Sequence, residues 1–468
     1  MLALPDQITS ALSNIPEYTD FLTLEELQAN SENLIRQYSD TVRREYIGRS
    51  EEGRPLEMLV VGDIRPLEEF KPPYRRTALG VGVPHPEEVC GALAVDYTAE
   101  YFARNPAALQ ELGIDTYLGI KVADVDGFLL NKAGLKDPSP RKSVESFYRP
   151  PYYNQFELSF PITGHPELSY DRPTKAAQAV AEVIDVWQPI VMASFHNSKV
   201  ERGGYYMANR HIQAFGAMAL ELSRYCDMPL MEGLAEQVYA TNYSPGVYSH
   251  ASVYADYAYR KARGEAMSNA HGALSFDYLM QRVPQASHIL TEMPAFAWRP
   301  NPNEADRPSG ITASLAMIRA SRQLRADARF LDKMLERLPF ADNTSDSPPS
   351  PRLATVQFHA KEFDRYGKSR IDKLVQDSRA DTRIITQADA FERQHVQPLL
   401  ALKGYMSILA GLADEAERPK EAALLRQRID RGFAAMEAGG ELRLRPIRNS
   451  VGMQVGGMLG AMALQSGE

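Results

Sequence analysis

The sequence predicts an α/β protein in which a layered sheet is followed by a largely helical C-terminal extension. Three observations support this prediction. Apolar runs of strand length alternate with apolar residues at helical spacing in the first part of the chain, which is typical of α/β layers. The later part shows mainly helical spacing. The chain has 468 residues, which is enough for one large domain and an extension.

Five short apolar runs predict the strands of the sheet. Most of them are bounded by charged or turn-forming residues, as expected of buried strands. They are PLEMLVVG (55–62), RTALGVGV (76–83), DTYLGIKVAD (115–124), PIVMASF (189–195) and SHILTEMP (287–294). In open α/β sheets, ligands bind beyond the carboxyl ends of the strands. We therefore expect functional side chains at those ends.

Apolar residues at helical spacing predict the helices. The helical segments are 23–40, 87–104, 175–187, 311–338 and about 385–439. The segment 341–352 contains several Pro and Ser residues and predicts a linker. The last segment, from Asn449 onward, is rich in Gly and Met, which fits either a packing helix of small residues or a frayed end.

The composition is that of a folded globular protein: 44% of the residues are hydrophobic, 24% are charged and the net charge is -8. A nucleic-acid-binding protein usually carries a basic face, so we expect no nucleic-acid partner. No stretch approaches the ~20 apolar residues needed to cross a bilayer, and the start lacks the basic region of a signal peptide. We therefore expect a cytoplasmic protein without a membrane partner. The two cysteines, Cys90 and Cys226, are too few for a thiolate metal site.

The segment His85-Pro86-Glu87-Glu88 follows a predicted strand and opens a predicted helix. A histidine and a carboxylate three residues apart on a turn can point at one ion, and zinc accepts both as ligands. By itself the pattern is weak. A histidine that caps the following helix, with Glu87 and Glu88 in its first turn, explains it as well.

Two further polar residues lie at the ends of predicted strands. His196 follows the apolar run 189–195, and Glu292 interrupts the apolar run ILTEMPAF. A carboxylate is costly to bury unless it is paired or functional. Taken alone, His196 fits a hydrogen-bonded loop residue, and Glu292 fits a salt-bridged residue at a strand end.

In their order along the chain, these segments resemble the metallocarboxypeptidase family that includes the pancreatic carboxypeptidases. That family runs a Gly-Ser-x-x-Gly-Arg segment, then HxxE, then a distant His and a Glu near the end of the domain. The matching segments here are IGRSEEGRPLEMLVVG (47–62), VGVPHPEE (81–88), DVDGF (124–128), SFHNS (194–198) and ILTEMP (289–294). The resemblance covers residues 40–300 or so. It implies a mixed central sheet with helices on both faces, in a catalytic domain at 1–305 followed by a mostly helical extension at 306–468.

The resemblance also implies a zinc-dependent metallopeptidase that hydrolyses a C-terminal amide bond. His85, Glu88 and His196 match the family's zinc ligands, with one ion per chain. Glu292 matches its general base. In that mechanism zinc polarises the scissile carbonyl and activates a water molecule, and the carboxylate passes the water's proton to the leaving nitrogen.

An arginine is expected near the metal, because a cation stabilises the oxyanion that forms there. In the family it lies after the DGF-like loop. Arg149 is our assignment and Arg141 is the alternative. A surface position before a Pro-Pro turn also explains Arg149.

The segment that recognises the substrate departs from the family. Typical members carry an Asn-Arg pair that binds the substrate's carboxylate, whereas the best-aligned stretch here is Asn154-Gln155-Phe156-Glu157. Gln155 is a poor substitute for a bidentate guanidinium, and Glu157 would favour a substrate amino group. Arg202 is a candidate for a relocated carboxylate contact. We therefore predict Gln155, Glu157 and Arg202 as substrate-binding residues, and a non-standard peptide as the substrate, such as a cell-wall, γ-linked or D-configured one.

Two other functions stay open at the level of sequence. One is a zinc deacylase of N-acyl amino acids, whose fold and HxxE motif are similar. The other is an inactive binding protein with a peptidase fold, although such proteins usually lose one residue of the set. The helical extension predicts a lid or a dimerisation module, so an oligomer formed through the C-terminal helices is also open.

Overall fold

The computed structural model describes most of the chain. The described residues are 4–66, 76–200, 203–232, 237, 239–265, 271–301, 307–339, 349–376 and 384–467. They separate into two compact units. Unit 1 comprises Met1–Lys136, Tyr152–Ala295 and Arg445–Glu468, and unit 2 comprises Asp137–Pro151 and Phe296–Leu444.

The strands and helices of the described residues are numbered here in chain order. The strands are β1 (Val42–Arg49), β2 (Pro55–Gly62), β3 (Thr77–Gly82), β4 (Thr116–Ile120), β5 (Val191–His196), β6 (Tyr205–Ala208), β7 (Asn242–Ser244), β8 (Val247–Tyr248), β9 (Ser287–Glu292), β10 (Phe296–Pro300), β11 (Pro308–Thr312), β12 (Ile384–Thr386) and β13 (Gly440–Leu444). The helices are α1 (Asp6–Ser13), α2 (Leu24–Gln37), α3 (Cys90–Arg104), α4 (Pro106–Glu111), α5 (Val125–Asn131), α6 (Pro140–Glu145), α7 (Lys175–Trp187), α8 (Ile212–Tyr225), α9 (Val253–Ala262), α10 (Ser275–Arg282), α11 (Ala313–Glu336), α12 (Pro351–Gln376), α13 (Gln387–Phe391), α14 (Gln397–Glu415), α15 (Pro419–Glu437) and α16 (Ile447–Ser466).

Unit 1 is built on a mixed sheet, as predicted. Within the described residues the sheet has nine strands in the order β1-β2-β4-β3-β5-β9-β6-β8-β7. Strands β4, β3, β5 and β9 run parallel to one another, and antiparallel pairings join β2 and β6 to the two sides of this group. Parallel neighbours end at the same edge of a sheet, so the ends of these central strands lie together.

Helices cover both faces of this sheet. On one face, Met192 of β5 lies in a hydrophobic cluster with Val180 and Ile184 of α7. On the other face, α3 packs against β5, and a Cβ at Gly91 of α3 would lie 2.9 Å from the Phe195 Cβ of β5. Because β3 and β5 are buried along their whole length, their sequences are continuous apolar runs rather than alternating patterns.

Each predicted strand and helix has an observed counterpart, but long helices such as α8 and α12 were not predicted. All five predicted strands are present, as β2, β3, β4, β5 and β9, and the predicted helices at 23–40, 87–104 and 175–187 correspond to α2, α3 and α7. The predicted helix at 311–338 is α11, and the helical tail contains α13, a short π-helical segment, α14 and α15. Most of the predicted linker at 341–352 lies outside the described residues.

The Gly- and Met-rich C-terminal segment is the buried helix α16, which packs against β5, β9, α3 and α8 of unit 1. Its small residues allow this close packing, since a Cβ at Gly457 would lie 2.6 Å from the Tyr206 ring. The Tyr206 hydroxyl donates to the Met453 carbonyl (2.8 Å). Although α16 is apolar on all sides, no described helix reaches the length and hydropathy that a membrane span requires.

The two units divide the chain differently from the predicted ranges 1–305 and 306–468. Segment 445–468, which contains α16, belongs to the unit with the sheet, and segment 137–151 belongs to unit 2. The physical reason is the apolar surface of α16, which is buried by packing against strands that lie far earlier in the chain.

Unit 2 is mainly helical. Helix α11 packs against α12 and α14, and α14 packs against α15. At its centre Asp327 of α11 is 2% exposed and accepts hydrogen bonds from Lys403 Nζ (2.7 Å) and Arg428 Nε (2.8 Å). Burial lowers the pKa of Lys403, and the Asp327 carboxylate opposes that shift.

We expect Asp327→Asn to lower the free energy of unfolding by about 3–5 kcal/mol, because it leaves the buried Lys403 ammonium without a counter-charge. Denaturant titration followed by circular dichroism measures the loss. Asp364→Asn is the matched control, since Asp364 pairs with Arg325 and Arg329 at a partly exposed position, where a pair contributes under about 1 kcal/mol. Equal losses in the two variants would contradict this prediction.

Candidate metal centre

His85 and Glu88 lie on the turn that joins β3 to α3. The Glu88 N–H donates to the His85 carbonyl (3.0 Å), which closes the turn. Just before it, Val83 has a φ of 49°, an uncommon conformation for a β-branched residue. Such a backbone persists only where its surroundings hold it, and here the Val83 carbonyl accepts from the Asp124 N–H (3.2 Å).

Two glycines let α3 lie close to the sheet at this turn. A Cβ at Gly82 would lie 2.7 Å from the Gly91 carbonyl oxygen, and a Cβ at Gly91 would lie 2.5 Å from the Phe195 carbonyl oxygen. Larger residues at these positions would force α3 away from β3 and β5. The glycines therefore help to set where the His85–Glu88 turn lies above the strand ends.

His196 and Glu292 are brought side by side by β5 and β9. These strands are parallel neighbours, and their last residues, His196 and Glu292, are in register. Strand β3, which precedes the His85–Glu88 turn, is the other parallel neighbour of β5. Three adjacent parallel strands thus deliver the predicted residues to one edge of the sheet, where α/β proteins bind ligands.

Among the described residues, His85, Glu88 and His196 form a group that can hold a metal ion. One donor atom from each lies within 4.8 Å of the others. His196 Nδ1 is 2.8 Å from Glu88 Oε2, and the two imidazole rings are 5.0 Å apart. The three residues are only 6%, 4% and 2% exposed, respectively. Two imidazoles and one carboxylate, converging and shielded from water, fit a zinc ion.

Glu292 lies at the rim of this donor group. Its Oε1 is 3.9 Å from His196 Nδ1, and its side chain is 16% exposed, compared with 3% for His196. The side chain is thus beside the donor group and partly exposed to solvent, although its Oε2 atom is buried. This placement is compatible with the predicted role of Glu292 as a base.

Asn197, to which the sequence interpretation assigned no role, joins the elements around the donor group. Its Oδ1 accepts from the Cys90 N–H at the start of α3 (3.0 Å), and its Nδ2 donates to the Met293 carbonyl after β9 (3.1 Å). Its backbone N–H donates to Glu88 Oε2 (3.3 Å). A polar residue directly after a candidate ligand was the available sequence signal.

Asp124 was quoted in the DVDGF segment but was likewise given no role. Its carboxylate accepts from the Gly127 N–H (2.9 Å) and so caps α5, while its own N–H donates to the Val83 carbonyl beside the His85–Glu88 turn. Removal from water raises the pKa of the Asp124 carboxyl to about 7, and the nearby Asp126 and Glu87 carboxylates add to this rise.

Gln155 and Glu157, which were predicted to bind substrate, are buried in unit 1. Gln155 is 0% and Glu157 2% exposed. The Glu157 carboxylate accepts hydrogen bonds from Ser194 and Ser275, and its Oε2 is 3.9 Å from His196 Nε2. Burial raises the pKa of Glu157, an effect that the nearby His196 and the serine hydrogen bonds oppose. The substrate-binding roles of Gln155 and Glu157 stay predictions.

Two of the three arginines considered in the sequence, Arg149 and Arg141, lie among the described residues. Arg149 belongs to unit 2, where its carbonyl accepts from the Thr355 hydroxyl. The alternative, Arg141, also belongs to unit 2 and pairs with Asp430 (2.7 Å). Arg202 lies outside the described residues. The roles assigned to Arg149 and Arg202 stay predictions.

Neither a protein-family model nor a curated protein sequence matches the chain. Several solved carboxypeptidase structures are similar to it at low identity. A metallo-carboxypeptidase from Burkholderia cenocepacia is 13% identical, with 58% of this chain and 60% of that protein covered and a TM-score of 0.38. The match thus spans less than two thirds of the Burkholderia protein.

Two animal proteins give similar values. Carboxypeptidase A from Helicoverpa armigera is 11% identical, with 79% of this chain and 78% of that protein covered and a TM-score of 0.38. Bovine thrombin-activatable fibrinolysis inhibitor, solved with a tick carboxypeptidase inhibitor, is 12% identical, with 60% and 86% covered and a TM-score of 0.37. Similarity at this level carries no argument about function, which is therefore proposed from the site itself.

We expect purified protein to bind one zinc ion per chain and His196→Ala to lose it, because the variant removes one of three donors. The loss of affinity should exceed the roughly 10–100-fold typical of a residue that only supports a ligand. Elemental analysis after dialysis measures the zinc content. His165→Ala is the control, since His165 accepts from the backbone N–H groups of Glu167 and Leu168 in a separate loop of unit 1. Full zinc occupancy in His196→Ala would refute the ligand assignment.

Proposed function

We propose that this chain is a zinc-dependent metallopeptidase that hydrolyses a C-terminal amide bond. The proposal is carried by one observation, the buried group of His85, Glu88 and His196 with the Glu292 carboxylate beside it. Catalytic zinc sites use this donor set and keep a further position open. A zinc ion held by these residues would supply a Lewis acid for the carbonyl and lower the pKa of a water molecule.

Glu292 is the residue that we propose moves protons. Its Oε1 lies at the rim of the donor group, 3.9 Å from His196 Nδ1. A carboxylate at such a position can accept a proton from water and return it to the leaving nitrogen. Asn197, which bonds to Glu88 and to the Met293 carbonyl directly after Glu292, holds the base and the donor group at a constant spacing.

We also propose Arg149 as the cation that stabilises the developing oxyanion. The support is its position in the sequence after the DVDGF segment, where the resembled family carries such an arginine. Arg202 is proposed as a contact for the substrate carboxylate for a similar reason, since it follows His196 closely in the chain.

The proposed substrate is a peptide or peptide-like small molecule with a non-standard C-terminal residue or linkage. The support is Gln155, which stands in the segment where the resembled family carries its carboxylate-binding arginine. A hydrogen bond to a charged group contributes roughly 1.5–3 kcal/mol. Losing it corresponds to about one to two decades in kcat/KM.

We expect Glu292→Gln to keep zinc and to lower turnover by ~10²–10⁴-fold or more, because the amide preserves shape but cannot accept the proton. Steady-state kinetics together with zinc analysis measure the two effects separately. Glu45→Gln, on the edge strand β1 of the same sheet, is a control that should keep both. Activity of Glu292→Gln within a few-fold of wild type would remove Glu292 from the proposed mechanism.

We expect standard N-blocked dipeptides to be cleaved about one to two decades less efficiently than γ-linked, D-residue or diamino-acid peptides. The reason is that Gln155 stands in the segment where the resembled family carries the arginine that binds an ordinary α-carboxylate. A panel that also contains N-acyl amino acids measures kcat/KM for each class. Fast, unselective release of ordinary L-residues would contradict the proposed substrate, and cleavage of acyl amino acids alone would indicate a deacylase.

A further inference from the structure

The two ring nitrogens of His196 face different surroundings. Nδ1 lies 2.8 Å from Glu88 Oε2 and 3.9 Å from Glu292 Oε1, so it faces the donor group. Nε2 lies 3.0 Å from the hydroxyl oxygen of Ser194. A neutral imidazole carries its proton on one nitrogen only, and a metal needs the lone pair of the other.

Ser194 determines in which direction this hydrogen bond runs. It is fully buried, and its hydroxyl donates to Glu157 Oε2 (3.3 Å). A hydroxyl group has one hydrogen. When that hydrogen is directed at Glu157, the Ser194 oxygen accepts from His196 Nε2–H. The lone pair of His196 Nδ1 is then available to a metal ion that Glu88 Oε2, 2.8 Å from Nδ1, would also bind.

The Glu157 carboxylate accepts further hydrogen bonds at its second oxygen. Its other oxygen, Oε1, accepts from both the backbone N–H (3.2 Å) and the hydroxyl (2.5 Å) of Ser275 at the start of α10. Glu157 is 2% exposed and Ser275 is 0% exposed, so water does not compete for these bonds. A short turn, strand β5 and helix α10 thus converge on one buried carboxylate.

We propose that Glu157 is a positioning residue for the metal centre. Through Ser194 it keeps the proton of His196 on Nε2 and the lone pair on Nδ1, ready for the metal. The inference rests on the proposed zinc site. It differs from the role predicted from sequence, because Glu157 acts through His196 and does not touch the substrate.

The variant Glu157→Gln tests the direction of the hydrogen bond between Ser194 and Glu157, because an amide has nearly the same shape as a carboxylate but can also donate. Ser275 offers two donors to Oε1, so the new amide oxygen takes that side and the new NH₂ group faces Ser194. The Ser194 oxygen then accepts from the amide, and its hydrogen points at His196 Nε2. This reversal favours the proton on Nδ1, where it opposes metal binding.

The experiment measures zinc affinity by competition with a chelating dye, together with the thermal unfolding of the metal-free protein. We expect Glu157→Gln to weaken zinc binding by about 10–100-fold, as is typical when the partner of a ligand is altered, with little change in unfolding temperature. Ser252→Ala is the matched control. It removes a serine bond to Asp277 (2.6 Å), a carboxylate that is 3% exposed in the same unit, and should leave zinc affinity unchanged.

The variant Ser194→Ala distinguishes a role of Glu157 in positioning His196 from a role in the packing of unit 1. In the wild-type background it should weaken zinc binding, because His196 loses its acceptor. In the Glu157→Gln background it should strengthen binding, because it removes the hydroxyl that holds the wrong tautomer. A purely structural role of Glu157 does not produce this change of sign.

The outcomes distinguish this inference from the proposed function. Wild-type protein that binds no zinc would overturn both. Wild-type protein that binds zinc, with Glu157→Gln binding it equally well, would overturn the role of Glu157 alone. If Glu157→Gln fails to fold, Ser194→Ala decides, and zinc affinity equal to that of wild type would overturn the proposal. A loss in Ser252→Ala as large as in Ser194→Ala would do the same.

Discussion

The need to compensate buried charge at the edge of the sheet is the constraint on which unit 1 depends. Glu88 and His196 approach to 2.8 Å at positions that are 4% and 2% exposed. A carboxylate removed from water is strongly destabilising unless partners replace the lost hydration. The Asn197 N–H supplies part of this compensation, and a cation among the three donors would supply more. The residues that form the donor group are therefore also those whose buried charge most requires compensation by neighbours.

The packing behind the site follows from the same constraint. Gly82 and Gly91 allow α3 to lie close enough to β3 and β5 for the turn residues to reach His196. Helix α16 packs against β5 and β9. Its Gln454 side chain donates to the His196 carbonyl (2.9 Å). Both side chain and backbone of His196 thus have buried partners. A ligand held in this way loses little conformational entropy on binding a metal, which favours a preorganised centre.

Buried carboxylates with several donors occur in both units, each within its own set of helices and strands. Asp277 accepts from Ser252 and two backbone N–H groups, and Asp327 accepts from Lys403 and Arg428. Glu157 has the same form, with hydroxyl and backbone donors. It differs because one of its donors, Ser194, also contacts a candidate metal ligand. This contact with a candidate metal ligand is the basis of the positioning role proposed for Glu157.

The sequence by itself determined the central strands and about half of the helices, because hydrophobic periodicity is a local signal. The donor residues His85, Glu88 and His196 were predicted from their order along the chain, which resembles a known family, since each local pattern is weak alone. Only the tertiary structure decided the surroundings of Glu157, which sequence interpretation assigned to the substrate. Its partners Ser194 and Ser275 lie 37 and 118 residues away, and Gln454 lies 258 residues from His196. Contacts over such separations leave no periodic pattern in the chain, since each arises only after strands and helices have packed together.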